Sequence, residues 1–509
     1  MATRTAAYQA DRRLLVRGSL WNSIAWAVVF VTGPPITIVL VRSMSHTAYG
    51  ELAVAGAVIG PVAAVAALGL GPAVSQLGSA EAVVVGPAGL DHVIRTALQV
   101  AVRALPWLLV CGAAVVAGMS AAESVHGARW VVAVMLPAVL VAPFGSAFDG
   151  YLRATGSVKW LAIAGVAGAL CSAAAIVVLV LAEAASPVAV GAARAAAPVV
   201  GCIVLAVAVA RRRVSSRVAI GDAYQADLGV KRTHVLAFGS AMLVTGLSWL
   251  LISQLDVLFL GIDRGSAQAG VYAPASRLAD LAISLAALVG ALLLPALTTA
   301  FRSGDRDKAV HLYHWASRWA LVVSAPLIAL LLVVPGPVLQ LMFGTGFSPT
   351  IPAARVLAVG VLVHVVLGFN GFTLEAQGHP RLAAIRSGAG VVISVVLCPL
   401  LIPRYGFTGA AVATTAAIVA INVFSSAALL QRFRIGPWDV EFLLAIVGFA
   451  VGSAVAWIVQ SELHGTLTKC IAVAVISTAA ALLLPLAAPG PPRLRLHAGT
   501  RDVTTGRPA

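Results

Sequence analysis

Charged residues are scarce in this sequence, and their scarcity excludes most classes of soluble protein. Only 10% of the 509 residues are Asp, Glu, Lys or Arg, whereas an ordinary soluble domain has about 25%. Hydrophobic residues make up 60% of the chain, more apolar surface than a water-soluble fold could bury. Because a bilayer-spanning helix needs about 20 apolar residues, the composition predicts an all-α polytopic membrane protein.

Motifs for catalysis and metal binding are also lacking. The five cysteines stand singly in apolar runs, with no CxxC pair and no Cys/His cluster of metal-ligand spacing. There is no P-loop and no catalytic constellation of side chains. We therefore expect no enzyme activity, no metal and no cofactor, and we interpret the cysteines as small apolar core residues.

The net charge of +15 would suggest a nucleic-acid partner in a soluble protein. Here the basic residues lie in short loops between apolar runs, and no zinc-finger spacing or soluble basic module is present. The sequence thus predicts no nucleic-acid binding, and its basic residues indicate membrane orientation instead.

The apolar runs predict fourteen membrane spans. The first follows several arginines, but its length and the lack of a small-residue cleavage site favour a span over a signal peptide. The predicted spans are 19–41, 52–77, 93–119, 130–152, 158–182, 187–210, 234–261, 270–300, 313–342, 352–376, 382–402, 406–430, 440–460 and 468–488.

The basic residues orient these spans. With a cytoplasmic N-terminus, 26 of the 34 Lys and Arg residues fall in inner segments or in the cytoplasmic halves of spans, and five fall in outer loops. Because positive charge concentrates on the cytoplasmic side, we predict that both termini are cytoplasmic.

An internal repeat relates the two halves of the chain. Gly150–Gly156 reads GYLRATG and Phe372–Gly378 reads FTLEAQG, an offset of 222 residues, and Gly50 matches Gly270 at a similar offset. Each unit holds six spans, which predicts parallel repeats related by an axis along the membrane normal, as in transporters. The predicted domains are an N-terminal tail (1–18), a first lobe (19–210), a basic linker (211–233), a second lobe (234–430), two extra spans (431–488) and a disordered cytoplasmic tail (489–509).

This organisation resembles the multidrug/oligosaccharidyl-lipid/polysaccharide exporter superfamily, and in particular its Wzx-type polysaccharide flippases. The resemblance covers most of residues 15–435. It rests on Tyr49-Gly50, Gln254–Gly261, Ala269–Leu278, Leu294-Pro295, Phe343–Phe347, Gln377-Gly378 and Ile402–Ala411.

The resemblance implies a flippase in the bacterial cytoplasmic membrane. It would translocate a polyprenyl-diphosphate-linked oligosaccharide for cell-surface polysaccharide biosynthesis, by alternating access of two lobes around a cationic cavity. The prenyl chain would stay in membrane lipid, and a polysaccharide polymerase and glycosyltransferases would be partners. Three alternatives stay open: a cation-coupled multidrug exporter, a lipid II flippase and a membrane glycosyltransferase or ligase.

Ionisable residues inside spans are costly and mark candidate sites. Arg277 and Asp280 share one helix face at i, i+3, and a guanidinium suits phosphate oxygens. Arg194 lies inside the sixth span without a local acidic partner. Both arginines are predicted to bind the diphosphate, although Arg277 could instead neutralise Asp280 or Asp256. Asp256 and Asp280 are candidates for proton or sodium coupling or for ion pairing.

Other polar positions are weaker candidates. Arg42 and Arg355 lie near the outer ends of spans, where they could bind substrate or extend to lipid headgroups. Asp149, Arg153 and Glu375 are candidates for an inner gate between the lobes, or for ordinary helix-end polarity. Asn22, Asn370 and Gln254 could contact sugars or bond between helices.

Overall fold

The computed structural model describes residues 31–219, 232–376 and 380–487, together with Trp21 and Val28. Within these ranges the chain is helical, with no β-strand. The helices are α1 (31–43), α2 (His46–Ala66), α3 (Leu70–Val84), α4 (Pro87–Ala121), α5 (Ala128–Ala154), α6 (Val158–Leu181), α7 (Pro187–Ala219), α8 (Arg232–Ile252), α9 (Leu255–Arg264), α10 (Ser266–Arg302), α11 (Arg306–Val333), α12 (Pro335–Phe343), α13 (Ile351–Val366), α14 (Asn370–Ala376), α15 (Pro380–Phe433), α16 (Val440–Glu462) and α17 (Thr466–Ala487).

The helices form an up-and-down bundle with two ends. We call the end with the α1–α2 and α9–α10 junctions the upper end, and the end with the α10–α11 and α15–α16 junctions the lower end. By the charge asymmetry of the sequence, the lower end is the predicted cytoplasmic side.

Eleven helical segments of the described ranges are long and apolar enough to cross a membrane, or twelve if the bent α8–α9 pair is one span. The polytopic membrane fold predicted from composition is therefore confirmed. The total of fourteen stays a prediction, since much of the predicted first span lies outside the described residues.

Helix α15 is two helices joined at a kink. Gly406 has non-helical dihedrals (φ 53°, ψ −125°). A Cβ placed on Gly409 would collide with the backbone of Leu401, although residues eight positions apart in a straight helix are about 12 Å apart. The chain therefore reverses direction here, between the segments predicted as 382–402 and 406–430.

Several predicted spans are interrupted in the structure. Leu68 (φ 53°) and Gly69 (φ 61°) adopt left-handed conformations that separate α2 from α3. The predicted span 234–261 bends by 40° between α8 and α9. Hydrophobic periodicity could not reveal these breaks, because the segments on both sides of each break are apolar. At the α2–α3 break, the backbone of Gly69 packs against the carbonyl group of Gly239.

Packing between α2 and α10 joins the two halves of the bundle. A Cβ on Gly50 would collide with the carbonyl oxygen of Ser266, and a Cβ on Gly270 would collide with that of His46. The backbones therefore touch where equivalent glycines of the sequence repeat meet. Contact between equivalent positions is expected near the axis of a parallel repeat.

Helices α16 and α17 pack on each other and against α11 and α12. A half-buried ion pair joins Arg318 of α11 to Glu441 of α16. The carboxylate of Asp439 caps α16 by accepting the N–H of Phe442 at 2.8 Å. These contacts fix the last two helices on the outside of the second half of the bundle.

We expect Gly50→Ala to destabilise the protein by at least about 1–3 kcal/mol, as overpacking does, because the added Cβ meets backbone that cannot rotate away. Thermal unfolding in detergent measures the effect. Gly56 of the same helix has nothing within 4 Å of a built Cβ, so Gly56→Ala should leave the melting temperature unchanged or raise it. Equal melting of the two variants would contradict the close contact.

Labelling of single cysteines tests the predicted orientation. In a cysteine-free background, Arg404→Cys at the upper end should react with a membrane-impermeant maleimide added to intact cells. Lys308→Cys at the lower end should react only after the cells are opened, since both side chains are exposed but lie at opposite ends. Labelling of position 308 but not of position 404 in intact cells would show that the topology is the inverse of the predicted one.

Candidate functional site

Arg277 and Asp280 lie on one face of α10, about 16 and 21 Å below its upper end. Arg277 Nη1 contacts Asp280 Oδ2 at 3.2 Å, and its Nη2 donates to Oε1 of Gln254 at 2.8 Å. The two charged side chains remain 35% and 30% exposed. Arg277 is thus positioned by a carboxylate and an amide while part of its guanidinium stays accessible.

A cavity of about 240 Å³ lies beside this pair. It is bounded by α1, α10 and α12, and its polar lining includes Arg277, Asp280, Thr37 and Ser284. The cavity is therefore mostly apolar, with one cation, one carboxylate and two hydroxyl groups on its walls.

Arg194 approaches the same region from α7. It lies about 10 Å below the upper end of its helix, beside the hydroxyl group of Tyr49 on α2. It forms no ion pair within the part of the chain that the structure describes. Arg277 is among the charges that act on Arg194, so two predicted phosphate ligands from different halves of the chain lie within electrostatic range of each other.

Asp256 is fully buried in α9. Its Oδ2 accepts hydrogen bonds from the hydroxyls of Tyr272 (2.7 Å) and Ser276 (3.4 Å), and its Oδ1 accepts the N–H of Val257 (2.7 Å). Burial of a carboxylate is costly unless hydrogen bonds satisfy it. Hydroxyl and backbone donors therefore hold Asp256, while Arg277 uses Asp280 and Gln254.

Arg42 and Arg355 contact backbone carbonyl groups at the upper end. Arg42 Nε donates to the carbonyl of Met342 at 2.9 Å, near the last turn of α12. Arg355 Nε donates to the carbonyl of Leu332 at 3.2 Å, near the end of α11. Both side chains satisfy carbonyls that a helix end leaves unpaired, and their predicted role in substrate binding stays a prediction.

The candidates for an inner gate lie at the lower end. Asp149 and Arg153 form a bidentate ion pair within α5, with Nε–Oδ2 and Nη2–Oδ1 distances of 2.6 and 3.1 Å. This pair stays within one helix and does not bridge two halves. Glu375 belongs to α14, but its side chain lies outside the described part of the chain.

The predicted sugar contacts are separated in the structure. Asn370 is 2% exposed, and its Nδ2 donates to the backbone carbonyl and Oδ1 of Asn422 and to Ser426 Oγ at 3.1–3.2 Å. Its amide group therefore joins α14 to α15. Gln254 lies beside Arg277, and Asn22 lies outside the described residues.

Sequence reasoning missed Tyr49, Tyr272 and Ser276 as partners of the buried charges. Tyr272 and Ser276 are spaced i, i+4, so they share a helix face, and that spacing was a readable signal. Tyr49 carried no such signal, because its contact with Arg194 arises only when α2 packs beside α7.

We expect Tyr272→Phe to cost about 1–3 kcal/mol of stability, the cost of leaving a buried acceptor without its donor. The exposed Tyr405 supplies a matched control, and Tyr405→Phe should change stability by less than about 0.5 kcal/mol. Thermal or urea unfolding in detergent measures both variants. Equal stabilities would show that Asp256 does not depend on the phenol.

Comparison with known proteins identifies relatives for part of the chain. "Probable lipid II flippase MurJ" of Rhizobium meliloti (strain 1021) is 29% identical over 243 residues, 44% of this chain and 43% of that protein. "Probable low-salt glycan biosynthesis flippase Agl15" of Haloferax volcanii is 24% identical over 211 residues, 42% of this chain and 44% of that one. The chain thus aligns with less than half the length of these curated relatives.

Solved structures share the fold over nearly their whole length. The lipid II flippase MurJ in an inward closed conformation superposes with a TM-score of 0.64 at 12% identity, covering 92% of this chain and 98% of that one. An inward-facing multidrug resistance MATE family transporter of the MOP superfamily gives a TM-score of 0.63 at 15% identity, covering 82% and 98%. At these identities the likeness concerns the fold alone.

The family assignment rests on the sequence itself. Residues 39–352, more than half of the chain, match the family described as "Polysaccharide biosynthesis protein". The matched range includes Tyr49, Arg194, Asp256 and Arg277, the polar groups gathered between α2, α7, α9 and α10. With its fold in agreement, this protein belongs to the polysaccharide biosynthesis protein family.

Proposed function

We propose that this protein is a flippase that carries a polyprenyl-diphosphate-linked oligosaccharide from the inner to the outer leaflet of the bacterial cytoplasmic membrane. The observation that carries the proposal is the partly exposed Arg277 beside the 240 Å³ cavity, with Arg194 of the other half of the bundle within its electrostatic range. The match to a polysaccharide biosynthesis family and the names of the flippase relatives support the substrate class.

The substrate poses an electrostatic problem. A diphosphate and its sugars are polar, and the hydrocarbon core that they cross is about 30 Å thick. Charged groups there need partners or water. A cavity with cationic walls would replace the hydration shell of the diphosphate, while the prenyl chain would stay in membrane lipid.

Arg194 and Arg277 fit the role of phosphate ligands. Arg194 has a neutral hydroxyl as its described partner, and Arg277 stays partly exposed beside the 240 Å³ cavity. A guanidinium binds phosphate oxygens through two parallel N–H donors. Mutual repulsion between two arginines falls when an anion sits between them, so the site would favour an anionic headgroup.

Alternating access would use the predicted lobes. Residues 19–210 would rock against residues 234–430, and residues 431–488 would follow the second lobe through the Arg318–Glu441 ion pair. The close contact of Gly50 with Gly270 would separate when the upper end opens. A membrane potential that is negative inside would favour outward movement of the anion.

The proposal also includes coupling to an ion and interaction with enzymes of polysaccharide synthesis. Asp280, beside Arg277, and the buried Asp256 are the carboxylates that a proton or sodium ion would use. A polysaccharide polymerase and glycosyltransferases would supply and consume the lipid-linked glycan, as the family resemblance implies.

Lipid II is the second candidate substrate. It is favoured by the relative and by the solved structure that are both named as lipid II flippases, and it shares the polyprenyl diphosphate that the arginines would bind. A cation-coupled drug exporter, suggested by the MATE fold, would require an acidic cavity, whereas Asp280 here is paired with Arg277. The names of the relatives and the solved structures favour a transporter over the glycosyltransferase or ligase.

A reconstituted translocation assay tests the proposal. Purified protein in liposomes receives a polyprenyl-diphosphate-oligosaccharide labelled on its sugar, and outer-leaflet exposure is followed with and without an imposed potential. We expect Arg194→Ala and Arg277→Ala each to slow exposure at least about tenfold, the loss of one charge-assisted hydrogen bond. Arg404→Ala, an exposed arginine at the upper end, is the matched control.

A double variant separates phosphate binding from simple charge neutralisation. If Arg277 only compensates Asp280, then Arg277→Gln combined with Asp280→Asn restores transport. If Arg277 binds phosphate, the double variant stays as slow as Arg277→Gln. Faster movement of labelled lipid II than of other glycans would assign that substrate, and efflux of a cationic dye without movement of any such lipid would overturn the proposal.

A further inference from the structure

A second pocket, of about 610 Å³, opens at the lower end of the bundle. It lies where the turn between α10 and α11 meets the turn between α15 and α16. Three arginines and two phenylalanines line it: Arg306, Arg432, Arg434, Phe301 and Phe433. No carboxylate belongs to its described lining, and none of these residues has a role in the proposed translocation.

Arg306 fixes the geometry of this pocket. Its Nη2 donates to the carbonyl oxygens of Phe433 (2.8 Å) and Arg434 (3.2 Å). These carbonyls follow the last turn of α15, where helix ends leave acceptors unpaired. Arg306 therefore ties the start of α11 to the end of α15 and holds the pocket walls together.

Arg434 occupies a backbone position that glycine normally takes. Its φ is +52°; its N–H bonds to the carbonyl of Leu430 at 3.1 Å, and the N–H of Ile435 bonds to that of Leu429 at 3.3 Å. The first of these bonds is that of the αL C-cap motif, with Arg434 at the left-handed position, where glycine is usual. A side chain is strained there, and glycine would relieve that strain.

The positive charge of the pocket is not compensated within the described part of the chain. Neither Arg432 nor Arg434 forms an ion pair there. Among the carboxylates nearest along the chain, Asp305 accepts the N–H of Lys308, and Asp439 caps α16 and lies 3.7 Å from His314. The exposed Asp307 forms no ion pair with these arginines in the described structure.

The pocket lies at the lower ends of membrane-spanning helices, where we expect the membrane surface. Helices α10, α11, α15 and α16 all end or begin there, and the exposed Trp438 donates its indole N–H to the carbonyl of Val366 at 2.7 Å at the same end. Tryptophan is enriched at membrane–water interfaces. Phe301 and Phe433 add an apolar wall beside the arginines, as a lipid with a charged headgroup requires.

We propose that this pocket binds the phosphate headgroup of an anionic membrane lipid at the predicted cytoplasmic surface. Arg432 and Arg434 contact the phosphate oxygens, and Phe301 and Phe433 pack against the first segment of the hydrocarbon chain. Basic pockets on the cytoplasmic side of membrane proteins attract anionic headgroups by this chemistry. An anionic phospholipid and a prenyl phosphate carrier both present it. The proposal does not depend on what the central cavity moves.

Energy transfer from tryptophan to a dansyl-labelled phosphatidylglycerol tests the site. The full chain is reconstituted in phosphatidylcholine, and the labelled lipid is titrated. Each arginine near a membrane surface contributes about a fivefold preference for anionic lipid. We therefore expect Arg432→Gln combined with Arg434→Gly to weaken binding roughly thirtyfold, while Lys159→Gln, an exposed cation elsewhere at the lower end, leaves it unchanged.

Arg434→Gly alone guards against loss of folding. Glycine relieves the left-handed strain, so this variant should melt at the same temperature as the unaltered protein or higher, yet bind the lipid about fivefold more weakly. Unchanged binding in the double variant, or an equal loss in Lys159→Gln, would overturn the proposal.

Competition identifies the source of the phosphate. Displacement of the dansyl lipid by unlabelled phosphatidylglycerol supports a phospholipid site, and stronger displacement by undecaprenyl phosphate supports a site for the carrier. Displacement by inorganic phosphate at the same concentration as the lipids would mean a site for soluble anions and would overturn the lipid assignment.

Discussion

Close backbone contact between α2 and α10 is the constraint on which the arrangement of the polar groups depends. Gly50 and Gly270 let the two helices touch, and this contact brings Tyr49, which lies beside Arg194, toward α10, the helix that carries Arg277. Because lipid is as apolar as these helices, the hydrophobic effect does not drive them together. Small residues instead allow the close van der Waals packing that holds the helices in contact. A larger residue at either glycine would separate the halves and with them the two arginines.

Charge inside the bundle follows a consistent rule. Asp280 forms an ion pair with Arg277, and Asp256 accepts hydrogen bonds from three donors. These partners are needed because burial of a charge without an ion pair or hydrogen bonds destabilises the fold. Arg194 is the exception, with a neutral phenol as its described partner. In the proposed function, Arg194 lacks a carboxylate partner because it binds the anionic headgroup of the substrate. At the lower end, Arg432 and Arg434 show the same lack of partners where lipid headgroups replace carboxylates.

Much of the fold could be predicted from sequence, for reasons that lie in single residues. Apolar runs bounded by arginines predict membrane helices because hydrocarbon leaves backbone groups no partner outside the helix, and the Gly50–Gly270 match pointed to the repeat. Arg277 and Asp280 were predicted to share one helix face, since i, i+3 spacing fixes their proximity. The breaks at Gly69 and after Ile252 were missed, because apolar composition is the same on both sides of them.

The sequence by itself determined the membrane fold, the protein family and the costly charges within the spans, since hydropathy, local spacing and motifs are properties of the chain alone. Only the tertiary structure decided what the charges meet outside their own helices. Tyr272 satisfies Asp256 from 16 residues away, Arg42 contacts the end of α12 nearly 300 residues further along, and Arg306 joins α11 to the end of α15. Such contacts depend on how the helices pack, and no local pattern encodes packing between segments so distant in the chain.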